Sequence, residues 1–170
     1  MRTVFGADEQ SEVELDVLRW VRLARMVLEE ERVPEEAEMS VIFVDEQAMA
    51  DLHERFLGGI GPTDVLAFPM DDDVTPGGRQ PDQGGRGPGS PTEASDPPTV
   101  LGDVVVCPQV ALRQTGEKRS IDDEVALLVV HGVLHLLNYD HAEDEESEAM
   151  RKRERELLAR FRQLEREAGQ

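Results

Sequence analysis

At 170 residues, 39% hydrophobic and 32% charged, the chain is the size of one domain and long enough to bury a core. Its single cysteine excludes an intramolecular disulfide and a Cys-rich metal cluster. No apolar run reaches the length of a membrane span, and the first residues lack a signal-peptide core, so a cytoplasmic protein with no membrane partner is the expectation. A formal net charge of −19 argues against a broad basic surface for nucleic acid, because phosphate binding normally uses clustered Lys and Arg.

In chain order, residues 1–10 read as a frayed end. From 12 to about 32 the apolar residues Val13, Val17, Trp20, Val21, Ala24, Val27 and Leu28 recur at helical spacing, and Pro34 follows. Residues 39–44 (Met-Ser-Val-Ile-Phe-Val) predict a central strand, and Asp45 is a good N-cap for a helix over about 46–57. Residues 63–68 alternate as a strand closed by Pro69. Residues 71–99 hold six of the ten prolines and six of the 14 glycines, with Val74 the only strongly apolar side chain. Such a segment buries too little surface to offset its ordering entropy, which predicts a long structureless loop between two strands of a hairpin-like pair.

A β-branched strand follows at 101–107, ending on Cys107 as a small buried hydrophobe. Pro108 opens a short helix to about Thr115. Ser120, with Asp123 three residues on, caps a helix over about 121–137. The last helix, about 142–167, starts acidic, carries Arg and Lys in its middle, and has Met150, Leu157, Phe161 and Leu164 as its inner stripe. There are no internal repeats.

Three of the four histidines fall in eleven residues, His131 to His141. On a helix His131 and His135, four apart, stack with Cβ atoms about 5–6 Å apart, so both imidazoles can reach one ion. Asn138 tolerates positive φ and can stop the helix, which lets Tyr139-Asp140-His141 fold back and bring His141 in as third ligand. Three protein ligands and one open position is the pattern of a catalytic zinc. The spacing i, i+4, i+10 is that of zinc proteases, but those carry Glu directly after the first His as general base, and here that residue is Gly132. Asp140 suits either a partner for a ligand imidazole or a base, and equally a turn residue bonded to backbone amides.

His131 to His141 resembles the HGxLHLxGYDH signature of the YbeY family, metal-dependent single-strand endoribonucleases of bacterial ribosome maturation. Asn138 stands where that family usually has Gly. The Pro62-Thr63-Asp64-Val65-Leu66-Ala67-Phe68-Pro69 and Leu101-Gly102-Asp103-Val104-Val105-Val106-Cys107-Pro108 stretches resemble it too, in the same order. The resemblance implies that Thr63 and Asp64 border the metal pocket, although strand-start capping explains them as well. It also implies an RNA-contacting Arg at a position where this chain has Leu57, after Phe56; the nearest basic residue, Arg55, is its candidate substitute. His53 reads as a surface-helix histidine.

The expected fold is a single α+β domain over residues 1–170, a small mixed sheet of about four strands packed with helices, with a zincin-like metal helix. The expected activity is a zinc-dependent hydrolase in which His131, His135 and His141 hold one zinc ion. The resemblance implies the substrate and partners: single-stranded RNA, chiefly the 3′ end of 16S ribosomal RNA, with the ribosome or ribosomal proteins, in rRNA maturation and ribosome quality control. The alternatives are a zinc peptidase and a non-catalytic, metal-stabilised ribosome-associated binding protein.

Overall fold

The computed structural model describes residues 2–70, 99–115, 120–139 and 144–169. Four strands among them make one mixed sheet: β1 (Thr3–Glu9), β2 (Ala37–Val44), β3 (Val65–Pro69) and β4 (Thr99–Val106), in the order β1-β2-β4-β3. β1 and β4 run parallel to β2, and β3 runs antiparallel to β4. The helices are α1 (Val17–Glu30), α2 (Glu46–Leu57), α3 (Pro108–Thr115), α4 (Ile121–Leu136) and α5 (Asp144–Ala168). The α+β architecture expected from the sequence is the one observed, with β2 central. None of the helices among the described residues is long and apolar enough to cross a membrane.

The period-2 alternation of the strands divides their side chains between two cores. Met39, Val41 and Phe43 of β2 and Val104 and Val106 of β4 face the larger one, with Trp20, Leu23, Val27 and Leu28 of α1 and Val125, Val129, Val130 and Val133 of α4. Val44, Leu66, Val105 and Cys107 face the smaller one, closed by Met49 of α2 and Val110 of α3. Cys107 is the small buried hydrophobe expected, and burial pushes its thiol pKa up.

Two expectations at the N-terminus change. Residues 3–9, read as frayed, form the edge strand β1. Only Val4 of it is buried and Phe5 is exposed, so there is little apolar alternation to find; pairing with β2 orders it. Gly6 lets β1 lie against α1, since a Cβ there would meet Val21 Cγ2 at 2.5 Å and Val17 Cγ1 at 2.8 Å. The first helix begins at Val17 rather than near 12. Gln10 Oε1 accepts from the amides of Glu12 and Val13, and Asp16 accepts from Arg19 N as N-cap.

The other caps are as expected: Asp45 accepts from Ala48 N at 2.8 Å, and Ser120 from Asp123 N at 3.1 Å. β3 and β4 pair as anticipated, and the chain joining them, 71–98, lies outside the described residues. The last helix is described from Asp144.

α4 packs tightly on the sheet at Gly132. A Cβ at that position would lie 2.5 Å from Val104 Cγ1 and 3.2 Å from Val65 Cγ2. Valine side chains are stiff at χ1 and cannot turn aside cheaply. Gly132→Ala should therefore cost about 1–3 kcal/mol of stability through overpacking, read as a lower urea midpoint. The larger Gly132→Glu should not fold normally. The sequence showed position 132 only as lacking a base; the structure adds a packing demand for glycine there.

Candidate metal centre

His131 and His135 sit one helical turn apart on α4, where the helix emerges from the apolar run 125–130. Their Nε2 atoms are 3.0 Å apart and their rings meet edge to face, with centroids 4.5 Å apart. Two nitrogens bound tetrahedrally to one zinc at about 2.0–2.1 Å would be about 3.3–3.4 Å apart, so the pair needs only a small adjustment to share an ion.

Glu154 of α5 completes the geometry from the other side. Its Oε1 lies 2.6 Å from His131 Nδ1. A carboxylate there accepts the Nδ1 proton, which leaves the Nε2 lone pair facing His135. Glu154 is 8% exposed, one of the few charged side chains buried among the described residues. The sequence reading missed it. Its signal was present: Met150, Glu154, Leu157 and Phe161 share the inner stripe of α5, and a lone carboxylate in such a stripe needs a partner.

The histidines open onto a cleft lined by Asp64, Val65, Leu66, Ala67, Pro69 and Gly132. Asp64 therefore borders the pocket, and it also caps the strand: its Oδ1 accepts from Val65 N at 2.8 Å and its carbonyl from Cys107 N. Thr63 stands behind it, its hydroxyl 3.5 Å from Asp64 Oδ1. Arg55 is exposed on α2 and is not among the residues lining the cleft. His53 also stays apart, its Nδ1 2.8 Å from Gly61 O, closing the loop after α2. Among the described residues no group of three His, Cys, Asp or Glu converges as metal ligands. His141, expected as third ligand, and Asp140 lie outside the described residues.

Backbone hydrogen bonds close the turn that ends α4. Asn138 takes φ +70°, Asn138 N donates to His135 O and Tyr139 N to Leu134 O. This is a Schellman motif with Asn in the left-handed position, as the sequence implied. Tyr139 OH then donates to Glu31 Oε2 at 2.7 Å, and Arg153 Nε donates to the other oxygen of the same carboxylate. Burial, then the bond to Glu31, pushes the Tyr139 phenol pKa above its usual value. Glu31 thus ties the end of α1 to the turn after α4 and to α5.

Residues 6–162 match the model of the family described as Endoribonuclease YbeY. The chain belongs to the YbeY family. It is 48% identical over 154 residues to Endoribonuclease YbeY of Thermobifida fusca, covering 90% of each chain. It is 45% identical over 157 residues to the protein of that name in Frankia casuarinae, covering 92% of this chain and 73% of the relative. The fold is also similar to the solution structure of TM1509 from Thermotoga maritima, with a TM-score of 0.54 and 24% identity over 94% of this chain and 92% of that one.

Tyr139→Phe leaves one oxygen of the Glu31 carboxylate without its donor. The loss should be about 1–3 kcal/mol in chemical denaturation, because the partner left behind is charged and mostly buried.

Proposed function

We propose that this YbeY protein is a zinc-dependent, single-strand-specific endoribonuclease, and that its substrate is the 3′ region of 16S ribosomal RNA presented by the ribosome. The observation that carries the reading is the His131–His135 pair, oriented by Glu154 and opening on the Asp64 cleft, in a chain whose relatives are named endoribonucleases. His131 and His135 would hold the ion through Nε2, with His141 as the third ligand. Bound there, the ion supplies a Lewis acid for a phosphoryl oxygen and lowers the pKa of bound water.

The chain's own residues have distinct parts to play. Glu154 keeps the His131 proton on Nδ1 and holds the ring in place. Asp64 brings a carboxylate to the cleft wall, where it can accept a proton from an attacking water. Gly132 keeps α4 close to β3, so that Asp64 and the histidines share one cleft. The same Gly132 counts against a zinc peptidase, which needs a carboxylate beside the bound water; the packing leaves no room for one on that residue.

The assay is purified protein with labelled single-stranded and duplex RNA, with and without chelator and small ribosomal subunits. Cleavage of the single strand alone is expected, lost on chelation and regained with zinc, with no peptidase activity. His135→Ala should lose bound zinc by elemental analysis; equal metal content in variant and parent would sink the metal reading. Replacing Glu154 with Leu should lower zinc affinity about 10–100-fold by chelator competition. Glu154→Gln, which can still accept from Nδ1, should lose less.

A further inference from the structure

Seven of the chain's 18 Lys and Arg side chains lie on α5. Between residues 151 and 162 six basic side chains stand against two carboxylates, in a protein of net charge −19. Arg151, Arg155, Leu158 and Arg162, spaced i, i+4, i+7 and i+11, fall on one face of the helix. That face lines a groove of about 600 Å³ against Asp123 and Leu127 of α4. Leu127 is one helical turn before His131, and Glu154, which also lines the groove, is the carboxylate on His131 Nδ1. The groove therefore ends at Glu154, directly behind the His131 ring.

The acids of the groove are already engaged. Glu154 is bound to His131, and Asp123 Oδ1 lies 3.5 Å from Arg162 Nη2. Among the described residues Arg151 and Arg155 form no hydrogen bond or ion pair. Elsewhere on α5, Arg153 and Arg160 are taken up by Glu31, Glu156 and Glu30. The two open guanidiniums sit at the end nearer His131, about 6 Å apart along the helix axis. Guanidiniums recognise phosphate oxygens with paired donors, and Leu127 and Leu158 give sugars and base faces an apolar floor. Among the described residues the cleft has no such group: Leu57 stands where an Arg was expected, and Arg55 is not among the lining residues.

We propose that the α4–α5 groove is the track for the single-stranded RNA backbone running to the histidine pair, with Arg151 and Arg155 as its phosphate contacts. The proposal rests on the nuclease reading above and assigns the substrate path that reading leaves open. An acidic protein segment matches the charge equally, but the RNA path explains why the open arginines flank Glu154, the partner of His131.

The test uses the full-length, zinc-loaded protein and its Arg151→Gln/Arg155→Gln variant. Binding of a labelled single-stranded RNA of about 16 nucleotides is followed by fluorescence anisotropy across a salt series, and cleavage of the same RNA and of one of about four nucleotides is measured in parallel. The variant should keep its zinc content and melting temperature. It should bind the long RNA about ten-fold more weakly, with the slope of log K against log salt reduced by about 1.4, since each phosphate contact on a single strand contributes about 0.7. The Arg151→Lys/Arg155→Lys variant should regain most of the slope, and Arg160→Gln, whose partner is Glu30, should behave as the parent. Cleavage of the short RNA should be nearly unchanged. Parent-like affinity and slope in the double Gln variant would overturn the groove while leaving the nuclease reading intact. A parent that cleaves neither RNA would overturn the nuclease reading instead. Tight binding of polyglutamate that is lost in the variant, with RNA binding unaffected, would show the groove to be a protein-docking surface and overturn the RNA path.

Discussion

The structure depends on how closely α4 can approach the sheet. At Gly132 the helix backbone lies against Val104 and Val65 with no room for a side chain. That contact puts His131 and His135, on either side of the glycine, directly above the cleft bordered by Asp64 and β3. Any residue larger than glycine would lift the helix and open the distance between the imidazoles and the strand. Interiors are close-packed, so such a shift would carry through Val129, Val130 and Val133 to the rest of the larger core.

α5 answers from the far side of the same helix. It is tied to α1 at one end by Arg19, which reaches both oxygens of Glu165 at 2.7 and 3.0 Å, and near its middle by Arg153 on Glu31. These paired, charge-assisted bonds fix the rotation of α5 about its axis more firmly than apolar contacts alone would. The rotation decides which residue meets His131, and it delivers Glu154. Glu31 links Arg153 with Tyr139, so α1, α5 and the turn after α4 are held by one carboxylate.

The net charge of −19 would repel a polyanion at long range, while residues 151–162 of α5 gather six basic side chains against two carboxylates. In the proposed reading a nucleic acid would be held by a few placed contacts, not by a general basic field. In the reading proposed here, α5 supplies those contacts and Glu154 together.

Much of this was already determined by local chemistry. The i, i+4 histidines, the Asn138 stop, the Asp45 and Ser120 caps and the alternating strands are short-range patterns, dictated by helix geometry, by tolerance of positive φ and by burial, and they are legible in one dimension. β1 escaped notice because an edge strand with one buried side chain has almost no pattern of its own; it exists because β2 offers it a partner. The structural demand on Gly132 was invisible for a similar reason, since it comes from two valines 28 and 67 positions earlier in the chain. Glu154 showed only as a misfit in an apolar stripe, and its meaning required knowing that His131 lies opposite, 23 positions earlier. The residue types that make a candidate site are thus written in the sequence. Their partners are set by the packing of distant helices, because a hydrogen bond across 23 residues depends on how α4 and α5 meet and on nothing local to either.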